Sequence, residues 1–357
     1  MNKINAYGYF MREVGQKLEK KDFVIEDLPP GHIAVKVAGC GLCHTDITFL
    51  NGSVKTKHPL PLVLGHEISG AIVASGAAAG LSLIEGKKVI IPAVLPCGEC
   101  ELCRAGRDNI CQKQKMPGND FHGGFASHIV VPGKYVCELP QDLKGNELWQ
   151  LSVIADAVTT PYQALIRSGL KSGELAIVIG VGGIGIYMVQ HAKNAGAKVI
   201  ALDIDENKLQ WALSQGADYV ISTAGMQEKD IKDSIRRIVA DSGLPRFQWR
   251  IFETSGSSAG QSLGFSLLTF AGTLGIVGFT MEKLPVRLSN IMAFDADVFG
   301  NWGCKPQYYT NVVKATLDGG IKVADNVKSY PLDSINEVLE MAHAHRLDKR
   351  AVLVPQT

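Results

Sequence analysis

Ile179-Gly180-Val181-Gly182-Gly183-Ile184-Gly185 fits the pattern G-x-G-x-x-G with one extra glycine. It follows the apolar run Ala176-Ile177-Val178-Ile179, and the helical stretch Gly183 to Ala195 comes after it. The next apolar run, Lys198 to Leu202, is followed at once by Asp203. In that strand–turn–helix setting each glycine has a physical task. The first permits a tight turn, the second lets backbone approach a pyrophosphate, and the third lets helix pack closely on strand. The helix N-terminus then offers free N–H groups to phosphate oxygens. Asp203 is placed to accept hydrogen bonds from a ribose diol, and its charge would repel a 2′-phosphate, so NAD is expected rather than NADP. A structural glycine turn with a solvated strand-end aspartate is the bland alternative.

Working outward, the same alternation continues. Glu206 to Leu213, Lys229 to Ala240 and Ala259 to Thr269 read as helices. Tyr219 to Ile221, Trp249 to Phe252 and Thr273 to Val277 read as strands. Alternating strands and helices predict a doubly wound parallel sheet. Before about Ala155 the texture differs. Short β-like runs such as Ile33 to Val37, Ile68 to Ser75 and Lys88 to Ile91 are punctuated by glycine and proline. They predict a compact, mostly antiparallel β domain. After about Phe299 two amphipathic helices (Gln307 to Asp318, Ser334 to His345) and a strand, Ala351 to Val354, close the chain. The expected division is 1–156, 157–298 and 299–357, with the last segment returning to the first domain.

The 36 basic and 35 acidic side chains nearly cancel, so no global field favours nucleic acid or an acidic membrane surface. The N-terminus leads into no apolar signal segment, and the longest apolar stretch, Leu175 to Val189, is interrupted by glycines. A cytoplasmic protein without a membrane span is expected. Four of its eight cysteines, Cys97, Cys100, Cys103 and Cys111, fall in one short lobe, 95–113, with the spacing C-x2-C-x2-C-x7-C. Four thiolates close a tetrahedral zinc site and leave no open position, which makes that zinc structural. Disulfides and an iron–sulfur cluster are the alternatives.

Cys43-His44-Thr45-Asp46 and Gly65-His66-Glu67 supply a thiol and an imidazole that can meet at one metal ion. A catalytic zinc needs a third protein ligand and an open position. Asp156, at the change of texture, is a candidate, and Glu67 is an intermittent ligand or a supporting group. Read alone, Asp156 could equally cap the helix after it.

Taken together and in this order, the Cys43 to Asp46 run, Gly65-His66-Glu67, the cysteine lobe, Asp156 before Thr159-Thr160, and the glycine turn resemble the zinc-containing medium-chain alcohol dehydrogenases over essentially the whole chain. The resemblance implies a GroES-like β-rich catalytic domain and a Rossmann domain. It implies Cys43, His66 and Asp156 as catalytic-zinc ligands with Glu67 close behind. It implies Thr45 at the substrate oxygen, His44 near the cofactor pyrophosphate, and Asp46 behind the ligands. It implies Lys208 at the adenosine ribose, Arg350 at the pyrophosphate, and Val277 and Asn301 beside the nicotinamide carboxamide. Two zinc ions per chain, one catalytic and one structural, and a homo-oligomer with a tetramer favoured are further implications. One departure stands out: many relatives end a proton relay with histidine where this chain has Thr48.

Met11 to Gly15, Ser53 to Leu62 and Gly65 to Gly70 are similar to dehydrogenases of the 6-hydroxycyclohex-1-ene-1-carbonyl-CoA type, which serve anaerobic benzoyl-CoA degradation. That resemblance implies oxidation of an alicyclic alcohol carried on a CoA thioester. Lys55, Lys57 and His58, or Arg104, Arg107, Lys113 and Lys115, are candidate cations for its phosphates, and either set could simply face solvent. Hydride addition to the conjugated C=C, a general secondary-alcohol or polyol dehydrogenase, and a non-catalytic zinc or nucleotide-binding protein are the rival readings.

Overall fold

The computed structural model describes residues 3–80 and 84–356, and strands, helices and sheets are counted over these residues. Contacts within the chain gather it into two units. One takes in the chain up to Thr159, then Gly303–Asp318, then the chain from Val323; the other takes in Thr160–Trp302 and Gly319–Lys322. No described helix is long and apolar enough to cross a membrane.

The first unit opens with strands β1 (Ile4–Met11), β2 (Glu19–Ile25), β3 (His32–Gly41), β4 (Leu62–Val63), β5 (Glu67–Ser75), β6 (Lys88–Ile91), β7 (His128–Pro132) and β8 (Cys137–Glu138). Two short helices, α1 (His44–Leu50) and α2 (Glu101–Arg104), lie among them. β1, β2 and β4 form a small antiparallel sheet that the sequence reading did not contain. β2, Glu-Lys-Lys-Asp-Phe-Val-Ile, is mostly exposed, so it lacks the apolar alternation that betrays a strand. Ala77 to Ala79 form a turn, with Ala78 in the left-handed region (φ +59°).

The second unit carries α3 (Thr159–Ser168), β9 (Leu175–Ile179), α4 (Gly185–Asn194), β10 (Lys198–Asp203), α5 (Glu206–Ser214), β11 (Tyr219–Ser222), α6 (Glu228–Asp241), β12 (Arg250–Glu253), α7 (Ser258–Ser266), β13 (Thr273–Ile276), α8 (Ser289–Phe294) and β14 (Asp297–Gly300). Its strands are all parallel and run in the order β11-β10-β9-β12-β13-β14. That is the doubly wound order in which the chain reverses direction beside its first strand. All five residues of β9 are buried, because helices cover both faces of a parallel sheet. Its core gathers Ile177, Ile200, Leu202, Ile235 and Ile251.

The remaining elements are α9 (Tyr309–Leu317), β15 (Val327–Pro331), α10 (Ile335–His343) and β16 (Arg350–Val354). They complete the first unit's larger sheet, ordered β15-β16-β3-β5-β6-β8 with β7 also on β3. β16 is antiparallel to β3, with Val352 opposite Gly41 and Leu353 opposite Cys40. Ile335, Val338, Leu339 and Leu353 join the core built by β3 and β5. Two details differ from the expected division. β14 extends the parallel sheet past residue 298, being too short to stand out in the sequence. Gly319–Lys322 goes with the second unit, where the Lys322 N–H donates to Gln190 Oε1 at 2.6 Å and the Gln190 amide donates to Gln215 at 3.0 Å.

Candidate metal centre and nucleotide turn

α1 begins at Cys43, whose extended backbone (φ −104°, ψ 155°) makes it the helix N-cap. Asp46, three residues on, returns its carboxylate to the Cys43 N–H at 2.9 Å, as a capping-box acid does. The same carboxylate accepts from the Gly65 N–H and from His66 Nδ1, both at 3.2 Å. One buried side chain therefore ties the start of α1 to the turn before β5 and fixes the ring of His66. With Nδ1 donating to Asp46, the Nε2 lone pair faces the other way.

There it meets Cys43 and Asp156. His66 Nε2 lies 3.6 Å from Asp156 Oδ2, and Cys43 Sγ lies 3.9 Å from the same oxygen. One ligand atom each from Cys43, His66, Glu67 and Asp156 can be chosen so that all lie within 4.8 Å of one another. His66 Nε2 is buried and has no hydrogen-bond partner. Zinc–ligand bonds of about 2.0–2.3 Å at tetrahedral angles put neighbouring ligand atoms roughly 3.3–3.8 Å apart. The orphaned nitrogen, the donor types and the spacings all fit that ion. Electrostatics agree: burial alone would lower the His66 pKa, yet the Asp46 charge, with Asp156 and Cys43 close by, raises it well above its ordinary value. The pocket favours positive charge.

Glu67 is fully buried, and burial raises its carboxyl pKa against the opposing pull of Arg350. Arg350 grips it in bidentate fashion, Nε to Oε2 at 2.8 Å and Nη2 to Oε1 at 2.5 Å. The structure thus assigns Arg350, read from the sequence as a pyrophosphate ligand, a firm partner on β5. Gly41 is required beside it, since a Cβ there would stand 2.2 Å from Glu67 Oε2. Thr45 is partly exposed at the first turn of α1, its Oγ1 3.7 Å from Cys43 Sγ. Thr48 donates its hydroxyl to the Thr45 carbonyl at 2.8 Å. His44 is part-exposed; the desolvation of its covered side and the nearby His345 and His343 lower its pKa.

In the cysteine lobe the sulfur pairs Cys100–Cys103 and Cys97–Cys111 lie 3.5 Å apart, too far for disulfides. All four cysteines are free thiols whose sulfur atoms lie within 4.8 Å of one another. N–H groups of Cys97, Cys100 and Lys113 point at the sulfurs of Cys111, Cys97 and Cys111 in turn, at 3.3 to 3.4 Å. Backbone hydrogen bonding, from Glu99 above all, lowers the Cys97 pKa. Burial and the neighbouring sulfurs push the Cys103 pKa the other way, so the four thiols do not titrate alike.

In the second unit Gly180 (φ +82°) turns the chain, and a Cβ there would meet the Ser255 backbone at 2.6 Å. A Cβ on Gly185 would stand 1.8 Å from the Gly180 carbonyl, whereas Gly182 has open space. Gly183 is exposed and Ile184 precedes α4 as its cap. Asp203 holds the turn from below: Oδ2 accepts from the Val181 N–H at 2.8 Å and Oδ1 from the Asp205 N–H at 3.0 Å. Lys208 lies in the first turn of α5, and Val277 follows β13. The Asn301 side chain is engaged by Gln163 at 3.1 Å and by the Thr160 carbonyl at 3.2 Å. Sequence reading passed over Glu253, buried at the end of β12, whose Oε1 accepts from the Ser255 and Gly256 N–H groups. Its position at a strand end before Ser-Gly was the available signal.

The loop of Lys55, Lys57 and His58 is fixed by Asn119, which receives the Lys57 N–H on its side chain and the His58 N–H on its carbonyl. Lys57 pairs with Asp120 at 3.5 Å, and the His58 ring lies 5.3 Å from that of His122. In the lobe, Lys113 faces Glu99 at 3.8 Å, and Arg104, Arg107 and Lys115 are exposed.

Residues 29–141 match the family described as alcohol dehydrogenase GroES-like domain, and residues 183–318 match zinc-binding dehydrogenase. An alcohol dehydrogenase of Geobacillus stearothermophilus is 31% identical over 96% of this chain and 97% of its own. The structure of an alcohol dehydrogenase from Aeropyrum pernix superposes with a TM-score of 0.87 at 30% identity, covering 98% of this chain and 100% of that one. Galactitol-1-phosphate dehydrogenase from Escherichia coli gives 0.88 at 25% identity, again over 98% and 100%.

Proposed function

This chain belongs to the zinc-containing medium-chain alcohol dehydrogenases, and from that membership we infer that it oxidises a secondary alicyclic alcohol to a ketone with hydride transfer to NAD. The observation that carries the chemistry is the orphaned His66 Nε2 beside Cys43 and Asp156. Bound zinc and NAD supply, respectively, the Lewis acid that acidifies an alcohol and the acceptor of its hydride.

The protein's own groups do the rest. Cys43, His66 and Asp156 hold the metal, and Asp46 holds His66 in the tautomer that leaves Nε2 available. Glu67, clamped by Arg350, sits behind them as a charged support. Thr45 takes the proton from the substrate hydroxyl. Thr48 spends its own proton on the Thr45 carbonyl, so the relay leaves Thr45 for water or the cofactor ribose rather than for a histidine. In the nucleotide unit the glycine turn receives the pyrophosphate. Asp203 and Lys208 receive the adenosine ribose, and Val277 and Asn301 flank the carboxamide. The cysteine lobe holds the second, structural zinc.

The substrate is a 6-hydroxycyclohex-1-ene-1-carbonyl-CoA-like thioester, oxidised to the conjugated 6-oxo compound as in benzoyl-CoA degradation. The resemblance carried by Met11 to Gly15, Ser53 to Leu62 and Gly65 to Gly70 supports this reading, and the Lys55, Lys57 and His58 loop offers cations for CoA phosphates. The assay that tests it compares the CoA thioester with free cyclic alcohols under NAD. A kcat/KM for the thioester well above that for free cyclohexanols is the expected result; equal values would make the enzyme a general secondary-alcohol dehydrogenase. Product analysis of the reverse reaction separates hydride addition at C=O from addition at C=C.

We further propose a homo-oligomer, with a tetramer favoured. β14 is the outer strand of its sheet. Near it in sequence Met281, Leu288 and Met292 are 73%, 67% and 76% exposed, apolar side chains that a second copy could cover.

A further inference from the structure

Asp156 owes its place to one peptide. The short helical stretch before it is buried from Leu151 to Ala155, and at Asp156 the backbone leaves the helical path (φ −145°, ψ −61°). The carbonyl of Ala155 belongs to the peptide that carries the Asp156 nitrogen, so the tilt of this peptide sets where the carboxylate points. That carbonyl accepts the hydroxyl proton of Tyr309 on α9, and also the Ala93 N–H at 3.3 Å. Thr159 and the Ala93 backbone lie beside the phenolic oxygen. Thr159 Oγ1 also stands 3.4 Å from the Asp156 carbonyl oxygen. Tyr309 is 1% exposed and Thr159 0%.

A buried hydroxyl costs free energy unless it is hydrogen-bonded, and phenylalanine would fill the same space without that cost. Packing therefore does not account for the hydroxyl of Tyr309. We propose that Tyr309 is a positioning residue for the metal ligand Asp156: its hydroxyl locks the Ala155–Asp156 peptide and so aims the carboxylate at Cys43 and His66. The proposal rests on the zinc-site reading of those three side chains. Without the hydroxyl, the Ala155 carbonyl keeps only the long bond from Ala93, and the peptide can tilt. Groups that orient metal ligands typically contribute about 10–100-fold to metal affinity.

Zinc release to a chromogenic chelator, followed alongside thermal unfolding, tests this. Wild-type enzyme is expected to release its two zinc ions at two rates, the four-cysteine site serving as internal control. Tyr309→Phe is expected to release one ion about 10–100-fold faster and to leave the other unchanged. Val312→Ala, an equally buried apolar truncation on α9, is expected to lower the melting temperature and leave both rates unchanged. A Tyr309→Phe enzyme that keeps both ions as the wild type does overturns the proposal, as does equal acceleration in Val312→Ala. Thr159→Val, which removes the hydroxyl beside the phenol that donates to the Asp156 carbonyl, shifts release in the same direction and decides the matter if Tyr309→Phe fails to fold. Wild-type protein with a single zinc overturns the metal-site reading itself, and the proposal with it.

Discussion

Asp46 serves two levels at once. As the N3 residue of α1 it caps the helix, and as the acceptor for His66 Nδ1 it leaves Nε2 open to a metal. Asp46→Asn keeps an acceptor oxygen but removes the charge that holds the imidazole. Catalytic-zinc affinity is expected to fall about 10–100-fold, read as zinc retained after dialysis against a graded chelator series. Thr45 is assigned the substrate proton. Thr45→Ser is expected to retain activity, while Thr45→Val is expected to lower kcat by about 10²–10⁴ with NAD binding intact, measured by steady-state kinetics and cofactor titration. Asp203 props the glycine turn through Val181, and its charge is the feature expected to disfavour a 2′-phosphate. Asp203→Ala is expected to weaken NAD binding and to move the NAD-to-NADP ratio of kcat/KM towards NADP. An unchanged ratio would place cofactor selection in another residue.

At the scale of elements, the cysteine lobe and β14 carry separate expectations. The lobe is stitched by N–H to sulfur contacts and by Lys134, which donates to the Cys97 carbonyl at 3.2 Å. The four-residue helix α2 and one helical turn, Asp108–Ile110, are the regular structure between Cys97 and Cys111, too little to fold unaided. Cys100→Ser is therefore expected to lower the melting temperature by several degrees while activity per folded molecule is largely kept. Loss of activity without loss of thermal stability would contradict a structural role. β14 is the outer strand of its sheet among the described residues, and Val298 on it is 40% exposed. A lysine at an edge blocks strand pairing. Val298→Lys is expected to reduce the assembly's mass in light scattering if that edge joins copies of the chain.

For the whole molecule, metal analysis is the sharpest expectation: about two zinc ions per chain, one of them lost to chelators together with activity. Both clusters lie in the first unit, and its larger sheet is closed by residues from opposite ends of the chain. Arg350 on β16 reaches Glu67 on β5 because Val352 pairs with Gly41 on β3, the strand between them. Folding of the metal site accordingly waits on the last strand, and truncation before β16 is expected to abolish zinc retention at that site.

The sequence by itself determined what local pattern can determine. The glycine turn and its alternating strands announced the parallel sheet, because a strand buried on both faces is an unbroken apolar run and the next turn needs glycine at φ +82°. The cysteine spacing announced its own cluster, since all four ligands lie on one short loop. Cys43, His66 and Asp156 were legible as metal-binding types, and the structure brings them within reach of one another. Tertiary structure alone decided the rest. The polar strand β2 pairs with β1 despite showing little alternation, because hydrogen bonding and one buried end suffice at an edge. Arg350 turned out to clamp Glu67, and Tyr309 to hold the peptide before Asp156. Neither contact leaves a trace in residue spacing: a buried hydrogen bond between distant segments depends on where the core draws them, and no local pattern records that.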